Sequence, residues 1–285
     1  MTRTWRTVTM ASAATLAAGS GAGTAWWATY RLLAAQAAVA RDLIGHGIIR
    51  PPEADGVYTT GCVVPEPWRA GTGFDLHLMI FGDSTAAGVG CATAEEVPGV
   101  RLARGLAETT GQRIRLSTKA ISGATSKGLA GQVDAMFVAG RPPHVAVILV
   151  GANDITKKHS VLQSARRLRL AVARLRAAGS VVVVGTCPDL GSVGAFPQPL
   201  RTVVHGWSAR LARAQAAATQ AGGGRAVALG GLLGRDFRSQ PAVLFSADGF
   251  HPSAAGYELA AAHLLPAVLV ELAAGEPVAA APVVH

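Results

Sequence analysis

The chain has 285 residues, half of them hydrophobic and only 15% charged, a composition that supports a sizeable core and excludes global disorder. Its formal net charge is +9, yet only Lys119, Lys127, Lys157 and Lys158 are lysines; the arginines are scattered along helical stretches such as "SARRLRLAVARLR". No basic block is interleaved with aromatics, so the charge describes solvated helix faces and no nucleic-acid partner is expected.

Arg3 and Arg6 precede 24 residues without a charge, Thr7 to Tyr30, enough to cross a bilayer core as a helix. The stretch is rich in Ala, Gly, Ser and Thr, and it ends on Trp26, Trp27 and Tyr30, the residue types of a membrane interface. Residues 1–30 therefore read as an export segment. It is either a signal peptide cut near Ala25 or a retained anchor, with membrane association through residues 7–30. The anchor is preferred, because Trp26 and Trp27 make an odd mature start. The bland alternative is an Ala-rich helix packed on the domain.

Residues 31–73 read as a linker: "RLLAAQAAVARDLIG" suits an amphipathic helix, and residues 50–73 are broken repeatedly by Pro and Gly. A domain over 74–275 and a short tail over 276–285 follow. Cys62, Cys91 and Cys187 lack metal-ligand spacing; one disulfide with a free thiol, or three thiols, are both open.

From Asp75 onward, strand and helix signals alternate. "DLHLMIF", "RIRLSTKAI", "HVAVILV", "SVVVVG" and "RAVALGGLL" read as strands. Helices over 99–110, 126–138, 160–179, 200–220 and 253–273 follow them in turn. Five such units imply a three-layer α/β/α sandwich around a mainly parallel five-stranded sheet. In such sheets ligands bind beyond the carboxyl ends of the strands.

Polar groups collect at those ends: Gly82-Asp83-Ser84 after the first strand, Ser122-Gly123 after the second, Asn153-Asp154 after the third, and Asp248 to His251 before the last helix. A serine hydroxyl is a poor nucleophile until a base takes its proton. An imidazole is the side chain that titrates near neutral pH, so His251 is the natural base. Asp248, three residues earlier, can accept from its Nδ1–H and turn Nε2 toward the serine. The oxyanion formed on attack needs fixed donors, and the Ser84 N–H, the Gly123 N–H and the Asn153 amide qualify. Asp83 and Asp154 read as loop-tying carboxylates. His77, His144, His159 and His205 read as structural. The glycines near Ser84 lack the pattern of a phosphate loop.

The four blocks "GDS", the glycine of "ISG", "GAND" and "DGFH", in that order over roughly residues 75–273, resemble those of the SGNH hydrolase (GDSL-type esterase and lipase) superfamily, and exported or membrane-anchored actinobacterial members in particular. The resemblance implies a flavodoxin-like fold and a serine esterase or lipase acting on small-molecule or lipid esters through an acyl-enzyme, with no metal or cofactor. It assigns the nucleophile to Ser84, the base to His251, its orienter to Asp248, and the oxyanion donors to Ser84, Gly123 and Asn153. Here "GDST" replaces "GDSL", and "TKAISG" has Lys119 and no Asn before the glycine, which leaves that region's supporting contacts open. The loop over 186–204, with its prolines and Phe196, is a candidate wall for the acyl or alcohol group. Two alternatives stand beside the esterase: a cell-envelope carbohydrate acetylesterase, and a catalytically silent envelope-binding module with the same fold.

Overall fold

The computed structural model describes residues 24–39 and 50–274. The readings made for residues 1–23 and for the 276–285 tail lie outside the described residues. Residues 24–39 form helix α1. Its Leu33 and Ala37 pack into an apolar cluster with Phe196 and Leu200, and Gln36 clasps the backbone there, donating to Gln198 O and accepting from Leu200 N.

The sheet has six strands: β1 (Gly56–Tyr58), β2 (Leu76–Gly82), β3 (Ile114–Thr118), β4 (Val145–Leu149), β5 (Val181–Gly185) and β6 (Arg225–Val227), in spatial order β1-β3-β2-β4-β5-β6. Strands β2 to β6 are parallel, as the sequence implies; β1 pairs antiparallel with β3. This edge strand is an addition to the expected five. It comes from the Pro- and Gly-broken stretch read as linker, where three apolar residues, all buried, are too few to show a period.

The helices that follow are α2 (Ser84–Ala87), α3 (Pro98–Thr110), α4 (Leu129–Ala139), α5 (Ala152–Thr156), α6 (Val161–Ala177), α7 (Leu200–Ala221), α8 (Leu229–Ser239), α9 (Pro241–Leu244) and α10 (Ala254–Ala274). Each central strand divides its side chains between two cores, as the period of two requires. Leu78, Ile80, Val145, Val147 and Val183 meet α3 and α10 on one face. Met79, Phe81, Ala146, Ile148, Val182 and Val184 meet α4 and α6 on the other. Strands buried on both faces explain the uninterrupted apolar runs.

Helix α6 shows the matching pattern. Leu168, Ala171, Val172 and Leu175 recur every three or four residues and face the sheet. Arg174 and Arg176 occupy its last turn, where cations complement the helix dipole. Helix α10 is long and apolar enough to cross a membrane by length and composition, but Tyr257, Ala261, Leu264 and Val268 place one side of it in the core.

One element differs from the sequence expectation. "RAVALGGLL" is a strand only over Arg225–Val227; from Leu229 the chain is helical. The short apolar run "AVAL" mimics a strand, and three glycines weaken the helix signal. Leu233 and Phe237 nonetheless bury one face of α8, so tertiary packing decides its structure.

Candidate active site

Strand β2 must end abruptly. Gly82 has φ +136°, and a Cβ there would lie 1.8 Å from Leu149 O, so only glycine fits beside β4. The Gln132 side chain holds this glycine, accepting from Gly82 N at 2.8 Å and donating to Gly82 O at 2.7 Å. Asp83 then caps α2, its Oδ1 accepting from Thr85 N at 3.0 Å. Ser84 opens the helix at the carboxyl edge of the sheet.

His251 arrives from the other end of the chain. The turn between α9 and α10 is pinned by Ser246 N donating to His251 O and Ser253 N donating to Leu244 O. Asp248 organises it. Its Oδ1 accepts from Ser246 Oγ, Phe250 N and His251 N at 2.8–2.9 Å, and its Oδ2 meets His251 Nδ1 at 2.5 Å. His251 Nε2 lies 2.8 Å from Ser84 Oγ. An ionised carboxylate only accepts, so the proton on the Asp248 side belongs to Nδ1, and Nε2 is left to accept from the serine hydroxyl. Burial pushes the Asp248 carboxyl up, but bonds from His251, the two amides and Ser246 outweigh it and hold the group at about 2. It is ionised wherever His251 can act as a base.

The expected oxyanion donors sit on segments that follow β2, β3 and β4 at the same carboxyl edge of the sheet. Gly123 has φ +78°, and neither its N–H nor that of Ser84 has a partner among the hydrogen bonds of the described residues. Asn153 lies on α5, and one of its amide hydrogens goes to Ala124 O at 3.0 Å. That bond ties the Asn153 amide to the Gly123 loop and leaves its second N–H unspent.

Asp154 fastens the loop from below. Buried, it accepts from Ser126 N and from the hydroxyls of Ser126 and Ser164 at 2.7–2.9 Å. Lys157 adds a bond to Gly123 O at 2.7 Å. Lys157 was not singled out from the sequence; its position four residues after Asn153, one helical turn on, was the available signal. Lys119, by contrast, makes its hydrogen bond there through the backbone, donating to Ile80 O.

Asp83 is fully enclosed, and burial pushes its carboxyl up to about 6. Four other histidines make structural contacts: His77 with Ser117, His144 with the His77 amide, His159 with Asp154 and His205 with Asp189. Cys62, Cys91 and Cys187 are all unpaired. Among the described residues no three His, Cys, Asp or Glu side chains gather as metal ligands.

An apolar cavity of about 90 Å³ lies between the ends of β4 and β5, α8 and α10; Asp83, Thr85, Phe250 and Pro252 reach it, Ser84 and His251 do not. The 186–204 loop contributes Pro188, Leu190 and Val193 to its wall. Phe196 instead packs into the cluster beneath α1.

Residues 80–259 match the GDSL-like lipase/acylhydrolase family. The chain is 59% identical over 255 residues, 90% of its own length and 80% of the other protein, to GDSL-like esterase Rv1075c of Mycobacterium tuberculosis. Two solved structures share the fold. One is LAE5, an alpha/beta hydrolase enzyme from the metagenome of Lake Arreo, with a TM-score of 0.53 at 19% identity over 74% of this chain and 96% of that one. The other is a variant of Axe2, an acetyl xylan esterase from Geobacillus stearothermophilus, with a TM-score of 0.52 at 20% identity over 69% and 95%.

Proposed function

The chain belongs to the GDSL-like lipase/acylhydrolase family and is a serine ester hydrolase acting on carboxylic esters, and we propose that Ser84 is its nucleophile, His251 its base and Asp248 the orienter of that base. The observation that carries this reading is the unbroken relay from Asp248 Oδ2 to His251 Nδ1 at 2.5 Å and from His251 Nε2 to Ser84 Oγ at 2.8 Å. Ser84 Oγ attacks the ester carbonyl while Nε2 takes its proton. The carbonyl oxygen becomes an oxyanion that the N–H groups of Ser84 and Gly123 and the free N–H of Asn153 stabilise. The imidazolium returns the proton to the departing alcohol, leaving an acyl group on Ser84. Water then attacks that ester, gives its proton to Nε2, and the carboxylic acid leaves as Ser84 is restored.

The enzyme works at the membrane in this reading, exported and held by residues 7–30. The support is the uncharged stretch after Arg3 and Arg6 and the exposure of Trp26, Trp27 and Tyr30 at its end. Cell fractionation of the full chain tests the location: the anchor reading expects it in the membrane pellet, and a cleaved protein in the medium contradicts it.

Hydrolysis of p-nitrophenyl esters by the full chain tests the chemistry. Ser84→Ala and His251→Ala are expected to lower kcat by several orders of magnitude; wild-type rates in either variant would refute the assignment. Equal inertness of all three proteins would favour the silent binding module.

A further inference from the structure

The loop that carries Gly123 has little of its own to hold it. Ile121, Ser122 and Gly123 are all exposed. Gly123 has φ +78°, and a Cβ built on it would meet nothing within 4 Å. One backbone bond closes the turn, from Ala124 N to Ile121 O at 3.0 Å. A glycine enters the left-handed region without steric cost and leaves it as readily, whereas an oxyanion donor works only if it is aimed in advance. Helix α5 supplies the missing restraint. Lys157 Nζ donates to Gly123 O at 2.7 Å, Asn153 Nδ2 donates to Ala124 O at 3.0 Å, and Asp154 accepts from Ser126 N at 2.9 Å. The peptide unit between Gly123 and Ala124 is therefore held at both ends, its oxygen by Lys157 and its N–H by Ile121 O. Holding that plane fixes the ψ torsion of Gly123. Lys157 is itself fixed by the way α5 ends. It caps the helix, Lys158 follows with φ 57°, and His159 N returns to Asp154 O at 2.7 Å. The Lys158 ammonium stands 5.6 Å from the centre of the Tyr30 ring of α1, a cation–π contact, so adjacent lysines engage α1 and the Gly123 turn.

Resting on the reading of Gly123 as an oxyanion donor, we infer that Lys157 is a positioning residue of the reaction: its ammonium clamps the Gly123 carbonyl and thereby keeps the Gly123 N–H aimed before the substrate arrives. Lys157 touches neither the nucleophile nor the base, and it acts through Gly123. The donor meets full negative charge only as the tetrahedral intermediate forms, so the clamp acts on kcat more than on KM. Acylation and deacylation both pass through such an oxyanion, so kcat reports the clamp whichever step limits turnover. Loss of a whole donor costs roughly 10²–10³ in kcat, and loss of one donor's aim costs less, about tenfold. The bond is exposed, and removing it should hardly move the melting temperature. This contact also answers for the absence of an Asn before the glycine in "TKAISG", since the turn is steadied from α5.

The test is steady-state kinetics of the full chain on p-nitrophenyl acetate, with thermal unfolding alongside and Ser84→Ala as the blank. Three variants are compared. Lys157→Met keeps the stem and removes the donor, Lys157→Arg restores a donor, and Gly123→Ala strains the left-handed turn directly. We expect Lys157→Met to lower kcat about tenfold while KM stays within about twofold and the melting temperature is unchanged. Lys157→Arg should recover most of the wild-type kcat, and Gly123→Ala should lose at least as much as Lys157→Met. Wild-type kcat in Lys157→Met with a clear loss in Gly123→Ala overturns the clamp and leaves Gly123 as a donor. A loss in Lys157→Met that falls on KM, that tracks a lowered melting temperature, or that arginine does not restore also overturns the clamp. Wild-type kcat in both Lys157→Met and Gly123→Ala overturns the clamp and the reading of Gly123 together.

Discussion

Replacing Asp248 with asparagine separates what this carboxylate does for the fold from what it does for the reaction. The amide oxygen can still accept from Ser246 Oγ and the amides of Phe250 and His251, which use Oδ1. Its NH₂ would then stand where Oδ2 meets His251 Nδ1. Two donors cannot face each other, so the imidazole adopts the other tautomer and presents Nε2–H to Ser84. That nitrogen can no longer take the serine proton, and kcat should fall by about 10⁴. The structural loss is much smaller. The carboxyl is held at about 2 against an ordinary 3.8, a difference that corresponds to about 2 kcal/mol. Because the folded value is depressed, this stability is present above pH 3.8 and is lost as the pH falls toward 2. Kinetics on p-nitrophenyl butyrate and urea unfolding at pH 7 measure the two effects. A kcat within tenfold of wild type in a folded Asp248→Asn would refute the tautomer argument. Wild-type stability above pH 4 that matched the variant's would refute the origin of the shift.

Asn153→Ala should lower kcat by roughly 10²–10³ with little change in KM; full activity would remove Asn153 from the oxyanion site. Asp83→Asn should stabilise the protein by about 3 kcal/mol at pH 8 and by much less at pH 4. Burial raises the Asp83 carboxyl to about 6, so the fold favours its protonated form and gains stability as the pH drops from above 6 toward 3.8; calorimetry at the two pH values checks the sign, and equal gains at both would contradict it. Asp154→Ala leaves two buried serine hydroxyls and the Ser126 amide without their acceptor and should cost about 3 kcal/mol or more in urea unfolding. Gly82→Ala puts a methyl 1.8 Å from Leu149 O at φ +136° and should yield little folded protein; a native-like melting temperature would refute the close approach.

The parts of this molecule legible in its sequence are those set by local pattern. Strands β2, β4 and β5 are apolar on both faces, so they stand out as runs, and the residues that leave them carry polar types a surface loop does not need. Ser84, Gly123, Asn153, Asp248 and His251 could all be named because each follows a strand or opens a helix. What held them in place was hidden. Gln132, Ser126 and Ser164 contact Gly82 and Asp154 from 10 to 50 residues away, and nothing in their own neighbourhoods marks them. Helix α8 was lost for the opposite reason. Its glycines contradict its structure locally, and only the burial of Leu233 and Phe237 against α10 and the 186–204 loop makes it helical. The cavity inherits that difficulty, since α8 supplies part of its wall.

The central claim is that an acyl group passes through Ser84 Oγ under the control of His251. Intact-protein and peptide mass spectrometry of the full chain after treatment with a fluorophosphonate reads it most directly. The account predicts one adduct, on the peptide that contains Ser84, formed much more slowly in His251→Ala and absent in Ser84→Ala. An adduct on another residue at the wild-type rate, with ester hydrolysis abolished by it, would contradict the account.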